Sequence, residues 1–299
     1  MAGTQRTVKS YNKAVNKTLT AIQKNTTVGR FYELPSLNGE EPVQVPSATH
    51  VLSCIAKPAL IPWAAKVERE MVIDVAEKFY QDSADTPTLS TTAYKMSLKN
   101  RLTKERAHKK VSAKALEIGS QIHEVIEWNN HKRMGHIVGP QPELSPEAAS
   151  GFAAYQTWAD SVNLEPVLVE ATVFSRTHQY AGTMDLLAHM NWEGERVLAL
   201  VDFKSSSAIF SEAYLQLAAY AEALKEMGHG DPEVCLILRL PKKVGDDGFE
   251  VGVCPSPRQP LLETFLATRS LWEWFHAQER AYSEKRKAQR AAEKAQRAS

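Results

Sequence analysis

The sequence predicts an α/β domain: a mixed central sheet flanked by helices, with an N-terminal helical extension and a long C-terminal helix. Three observations predict it. Residues 180–204 read as two apolar strands joined by a tight reversal at Trp192-Glu193-Gly194-Glu195. Residues 166–176 (PVLVEATVFSR) alternate and are rich in valine, as a core strand is. Segments with a 3.6-residue apolar period lie both before and after these strands, which places helices around the sheet. At 299 residues the chain is long enough to bury a sizeable core. Residues 1–30 are expected as a flexible basic arm, 31–278 as one domain with its core at about 105–255, and 279–299 as a basic helical tail.

In chain order, the first 32 residues hold no acid but carry Arg6, Lys9, Lys13, Lys17, Lys24 and Arg30. A poorly ordered tail, a phosphate-touching arm and a transit peptide all fit that composition, the last least well because Lys, Thr and Asn outweigh Arg and Ser. Residues 31–52 look extended and turn-rich until Ser47 caps a short helix through Val51, Leu52 and Ile55. A more regular helix follows at 64–80, preceded by Trp63, which suits core packing or stacking on a base. Residues 95–114 form the most basic window, with Lys95, Lys99, Arg101, Lys104, Arg106, Lys109, Lys110 and Lys114 against Glu105. It reads either as a solvated helical face or as a phosphate track. The helical period of 114–128 puts Leu116, Gly119, His123 and Ile126 on one stripe. Glycine inside a helix costs about 1 kcal/mol relative to alanine, so Gly119 implies a close backbone approach. A helix at 146–162 is capped by Ser145, and the strand at 166–176 carries Glu170, a surface acid or an additional metal ligand.

The hairpin is the most informative stretch. A turn centred on Glu193-Gly194 sets Asp185 opposite Asp202 and Thr183 opposite Lys204. Opposed side chains stand roughly 5 Å apart, where like charges destabilise the pair. Two carboxylates in an apolar setting need compensating charge, and a hard divalent cation supplies it. Alternation puts Lys204 on the same face as Asp202. The next helix carries Gln216 and Tyr220 one turn apart. Further strands are expected at 234–240 and 249–253, and one long helix or two at 260–299.

Composition excludes as much as it suggests. A net charge of +1 means any nucleic-acid signal must be local. Cys54, Cys235 and Cys254 lie far apart without a C-x-x-C pair, which argues against structural zinc and disulfides and fits a reducing cytoplasm. No membrane-length apolar run, secretory signal or phosphate-binding glycine loop is present, so no membrane partner is expected and any motor must be a separate protein.

Taken together, G-T-x-D at 182–185, an apolar strand ending D-x-K-S-S at 202–206 and the Q-L-A-A-Y helix at 216–220 resemble the PD-(D/E)XK nuclease superfamily, in its RecB-like exonuclease branch. Phage-borne relatives are similar also across P-S-x-T-x-V-L…K-P-A-L-x-x-W-A-A-K, which matches residues 46–66. The resemblance implies a restriction-endonuclease-like core. It makes Gly119 and His123 a G-x-x-x-H motif whose histidine helps ligate metal. Asp185, Asp202, His123 and the Phe203 carbonyl would then hold one or two Mg²⁺ or Mn²⁺ ions, with Glu170 an additional candidate. Lys204 would place the attacking water, and Gln216 and Tyr220 would brace the catalytic strand. Lys99, Arg101, Lys104, Arg106, Lys109, Lys110, Ser205 and Ser206 would face DNA. Some relatives carry an iron–sulfur cluster on four cysteines, which three cysteines cannot supply. The implied activity is a DNA exonuclease in recombination, repair or phage DNA processing, in the cytoplasm of a bacterial or phage-infected cell, working with a helicase or an annealing protein. A structure-specific endonuclease and a silent DNA-binding scaffold are the alternatives.

Overall fold

The computed structural model describes residues 21–26, 29–35, 41–83, 91–104, 106–246 and 248–298. Strands β1 (Ile22–Thr26), β2 (Gly29–Leu34) and β3 (Val43–Pro46) form an antiparallel meander. The expected helical extension therefore begins with a small sheet, and residues 22–26 and 29–30 of the expected arm belong to it; residues 1–20 lie outside the described residues. A polar Lys/Asn/Thr composition hides such strands. Their order comes from docking, because Tyr32, Leu34 and Val45 bury themselves against Phe174 and Ala181 of the main sheet.

Ser47 Oγ accepts the His50 N–H at 3.0 Å and so caps α1 (Ala48–Leu52). The expected helix at 64–80 is longer than its period suggested, α2 (Leu60–Ser83), with Pro62 in its first turn, where a missing N–H is harmless. The basic window is split between α3 (Thr91–Lys104) and α4 (Ala107–Arg133) rather than running into the site as one helix. α4 buries Ile118, Ile122, Val125 and Ile126. Leu116, expected on that stripe, is instead 72% exposed. Helix α5 (Pro146–Ser161) starts at its Ser145 cap as expected.

Strands β4 (Glu165–Ser175), β5 (Tyr180–Trp192) and β6 (Glu195–Lys204) pair antiparallel. Helix α6 (Glu212–Glu226) then crosses over, so that β7 (Val234–Arg239) joins β6 in parallel and β8 (Glu250–Val253) closes the sheet antiparallel. The result is a mixed five-stranded sheet in sequential order. Alternation separates its two faces. Leu186, Ala188, Val201 and Phe203 pack with α4 and α5, while Leu187, Leu200 and Ile237 pack with α1, α6 and the final helix. That helix, α7 (Gln259–Ala298), is a single 40-residue element. It buries Phe265 and Trp272 near its start, and its described side chains from Ala277 onward are exposed. Among the described residues no helix is long and apolar enough to cross a membrane.

Candidate active site

The expected hairpin register is present. β5 and β6 pair from Trp192↔Glu195 up to Leu186↔Val201. The ladder stops there, one step short of the acids, so Asp185 and Asp202 are not a ladder pair as expected. Instead the Phe203 N–H donates to Asp185 Oδ2 at 2.6 Å. A side chain thus replaces the next ladder bond, so the half-buried Asp185 and the buried Asp202 are near each other without forming a ladder pair. Thr183, expected opposite Lys204, is engaged elsewhere, 2.9 Å from the Tyr32 hydroxyl. A strand residue directs its N–H and C=O to the same side, so the Phe203 carbonyl faces this gap as well.

On the other side of Asp185 lies β4, which is bent at Glu170. Val169 packs with the α4–α5 core, whereas Ala171 packs with the α6–α7 core. Residues two apart in a regular strand would share a face. Between them Glu170 takes φ +45°, a left-handed conformation that a non-glycine residue holds only when its surroundings impose it. Glu170, expected as a surface acid or an additional metal ligand, lies with its Oε1 3.7 Å from His123 Nδ1 and lines the same groove.

His123 reaches the same point from α4, held by its buried neighbours Ile122 and Ile126. Its Nδ1 lies 3.7 Å from Glu170 Oε1 and 3.7 Å from Asp185 Oδ1. One donor atom from each of His123, Glu170 and Asp185 falls within 4.8 Å of the other two. Opposite ligands on one Mg²⁺ or Mn²⁺ stand about 4.2 Å apart, so a small closure fits this set to a single ion. Two carboxylates and one imidazole are donors that Mn²⁺ accepts readily and Mg²⁺ accepts through its oxygens.

Asp202, expected in the metal set, lines the same groove and also pairs with Lys204. Its Oδ2 lies 2.6 Å from Lys204 Nζ, and the residue is only 3% exposed. Lys204 Nζ also donates to Gln216 Oε1 at 3.4 Å, and Gln216 Nε2 donates to the Tyr220 hydroxyl at 3.1 Å. Gln216 and Tyr220 thus stand behind Lys204. Gly182 makes room for them, because a Cβ there would lie 2.5 Å from the Tyr220 ring.

The electrostatics follow from burial and proximity. Burial raises Asp202, the Asp185 charge adds to it, and the Lys204 ammonium only partly offsets both, leaving the carboxyl at about 6. Burial also raises Asp185, against the pull of His123. Burial opposes charge on His123, but Asp185, Glu170 and Asp202 outweigh it and hold the imidazolium to about 9. Lys204 is likewise disfavoured by burial yet raised on balance by Asp202 and Asp185, so it remains an ammonium.

All these groups line one open groove of about 690 Å³ between α4 and the strand ends, together with Ser205 and Ser206. Of the basic window, no described side chain lines it; Lys109 and Lys110 lie on exposed first turns of α4, and the side chains of Arg101 and Lys104 lie outside the described residues. Lys99 and Arg106 are exposed, and Trp63 is half-buried away from the groove. The groove's other cations are Arg30 and Lys242. Neither sits in a chemical motif, and only the docked N-terminal sheet and the turn after β7 bring them in. Such an arrangement can bind a divalent ion at one end and an anionic group near Lys204 at the other. No protein-family model and no curated protein sequence matches the chain.

Proposed function

We propose that the chain is a divalent-metal-dependent deoxyribonuclease of the PD-(D/E)XK kind, RecB-like, with a restriction-endonuclease-like core, hydrolysing phosphodiester bonds at DNA ends. The observation that carries this reading is the meeting of His123, Glu170, Asp185, Asp202 and Lys204 in one open groove. They arrive there from α4 and three adjacent strands.

His123, Glu170 and Asp185 are the residues that would hold Mg²⁺ or Mn²⁺, with the Phe203 carbonyl directed into the same gap. A bound ion of this type lowers the pKa of water and neutralises charge on a phosphate. Lys204, fixed by Asp202 and Gln216, presents its ammonium where negative charge grows on the phosphate oxygens. Because Lys204 stays protonated, it orients water and stabilises charge rather than removing a proton. Asp202 holds the lysine and, at its raised pKa, is a candidate to exchange a proton near neutral pH. Tyr220 and Gln216 keep the lysine from swinging away. The three free cysteines suit a reducing compartment such as a bacterial or phage-infected cytoplasm.

Labelled linear and covalently closed circular DNA, incubated with Mg²⁺ or with EDTA, test the proposal. Metal-dependent shortening of linear DNA with circles spared is the expected result. Cutting of circles would make the enzyme an endonuclease on the same site. Intact DNA under every metal condition would leave only a binding scaffold.

A further inference from the structure

One helical stripe of α4, at three- and four-residue intervals from Ser112 to Glu127, forms a wall of the groove. The stripe is asymmetric about His123. Its positions before the histidine carry no charge, whereas Glu124 and Glu127 lie beyond it. A polyanion is repelled from the second half and tolerated along the first.

Lys242 enters beside that first half, from the turn after β7. Its Nζ donates to the Ala115 carbonyl at 2.7 Å. Among the described residues no carboxylate pairs with it, and burial alone pulls its ammonium below the ordinary lysine range. At Gly119 the missing side chain leaves space that two donors border. A Cβ built there would lie 2.8 Å from Ser205 Oγ and 3.7 Å from Lys242 Nζ. Gly119 had suggested a close backbone approach; the neighbours that come close are these two side-chain atoms. An ammonium with N–H groups to spare, a hydroxyl and a bare glycine face, open to the groove, match the oxygens of a phosphodiester.

We propose that Lys242, Ser205 and Gly119 form a phosphate subsite that holds a nucleic-acid strand along the N-terminal half of α4. The proposal rests on the nuclease reading of the same groove. Four residues, about 6 Å of helical rise, separate Gly119 from His123, so the subsite takes a phosphate neighbouring the one at the proposed metal-binding cluster. The strand then approaches from one side only, with Glu124 and Glu127 closing off the other.

The test is binding of a fluorescein-labelled single-stranded oligonucleotide in EDTA, read by anisotropy over a series of salt concentrations. Lys242→Met should weaken binding about tenfold and flatten the plot of log affinity against log salt by about 0.7. Lys242→Arg should restore most of that loss, and Gly119→Ala, which displaces the Ser205 hydroxyl, should fall between wild type and Lys242→Met. Lys132→Met, which removes a cation held over the Trp128 ring at the other end of α4, should bind as wild type does. Equal affinities for wild type and Lys242→Met, or equal losses in Lys242→Met and Lys132→Met, would overturn the subsite. So would a wild-type protein that does not bind the oligonucleotide. Should Lys242→Met fail to fold by circular dichroism, Ser205→Ala reads the same subsite with a loss of about threefold. Cleavage measured in parallel separates the two proposals. Cleavage with unchanged Lys242→Met affinity sinks the subsite alone, and a Lys242-dependent affinity without any cleavage sinks the nuclease reading alone.

Discussion

The two ends of the groove are held together in opposite ways. Around Asp202, Lys204, Gln216 and Tyr220, consecutive side chains contact each other at 2.6 to 3.4 Å, and opposite charges meet. Around His123, Glu170 and Asp185 the nearest charged contacts are 3.7 Å, and acids outnumber the cation. The first end is charge-paired as folded. The second keeps like charges close because the backbone leaves them no alternative: a bend aims Glu170, the Phe203 N–H pins Asp185, and the apolar face of α4 fixes His123. The excess of negative charge there is offset in part by the imidazolium of His123, and under the proposed function a divalent cation would take that role.

Substitutions at the two ends should therefore separate activity from stability. Lys204→Ala should lower the cleavage rate by on the order of 10²–10³-fold, as loss of a preorganised charge at the reacting phosphate does. It should also destabilise the fold by about 3 kcal/mol in denaturant titrations, because Asp202 is left buried and unpaired. Asp185→Asn should abolish cleavage to a similar extent, yet raise the melting temperature in EDTA, because it removes the cost of burying that carboxylate's charge, which outweighs its attraction to His123. If both variants lose stability alike, the contrast between the ends is wrong.

Metal binding sharpens the comparison further. At a hundredfold excess over its dissociation constant, Mn²⁺ should stabilise the wild type by about 2.7 kcal/mol. Mg²⁺ should need higher concentrations, because one donor is an imidazole. His123→Ala should reduce this stabilisation while oligonucleotide binding changes little; an unaltered metal titration would return His123 to the core.

The effect of pH is smaller and has a definite sign. Folded and metal-free, His123 keeps its proton to about 9, against 6.5 ordinarily, so between those values the folded state binds more protons than the unfolded one. Its stabilising contribution is complete below 6.5 and is lost as pH rises through 9. Asp202, raised from 3.8 to about 6, adds a loss of the same sign over that lower window. The melting temperature in EDTA should fall from pH 6 to 9, and saturating Mn²⁺ should flatten the profile as His123 exchanges proton for metal. A steeper profile with metal would contradict the assignment. Gly182→Ala is expected to have the smallest effect. Pressing on Tyr220, it should cost about 1–3 kcal/mol and lower turnover through Gln216 and Lys204, without altering metal affinity.

The hairpin and its register were legible because they are local. A tight turn sets register over a dozen residues, and a period of two then puts Asp202 and Lys204 on one face, as found. Gln216 and Tyr220 were legible for the same reason, as neighbours on one turn of helix. His123 stood out through its family-like spacing from Gly119, while its meeting with Glu170 and Asp185 required the packing of α4 across the sheet end. The basic window shows the opposite case: a run of positive residues marks charge density, but what faces a groove depends on where the helix breaks, and here it breaks between α3 and α4.

By itself the sequence determined the α/β class, the five strands of the main sheet and the paired hairpin carrying the acids, since periodicity and turn chemistry act over a few residues. Only the tertiary structure decided which acids gather beside His123, and that Arg30 and Lys242 reach the groove. Those choices depend on a left-handed bend at Glu170, on a ladder that ends one step early and on segments distant along the chain. Each balances burial, repulsion and packing among groups that have no fixed separation until the core forms.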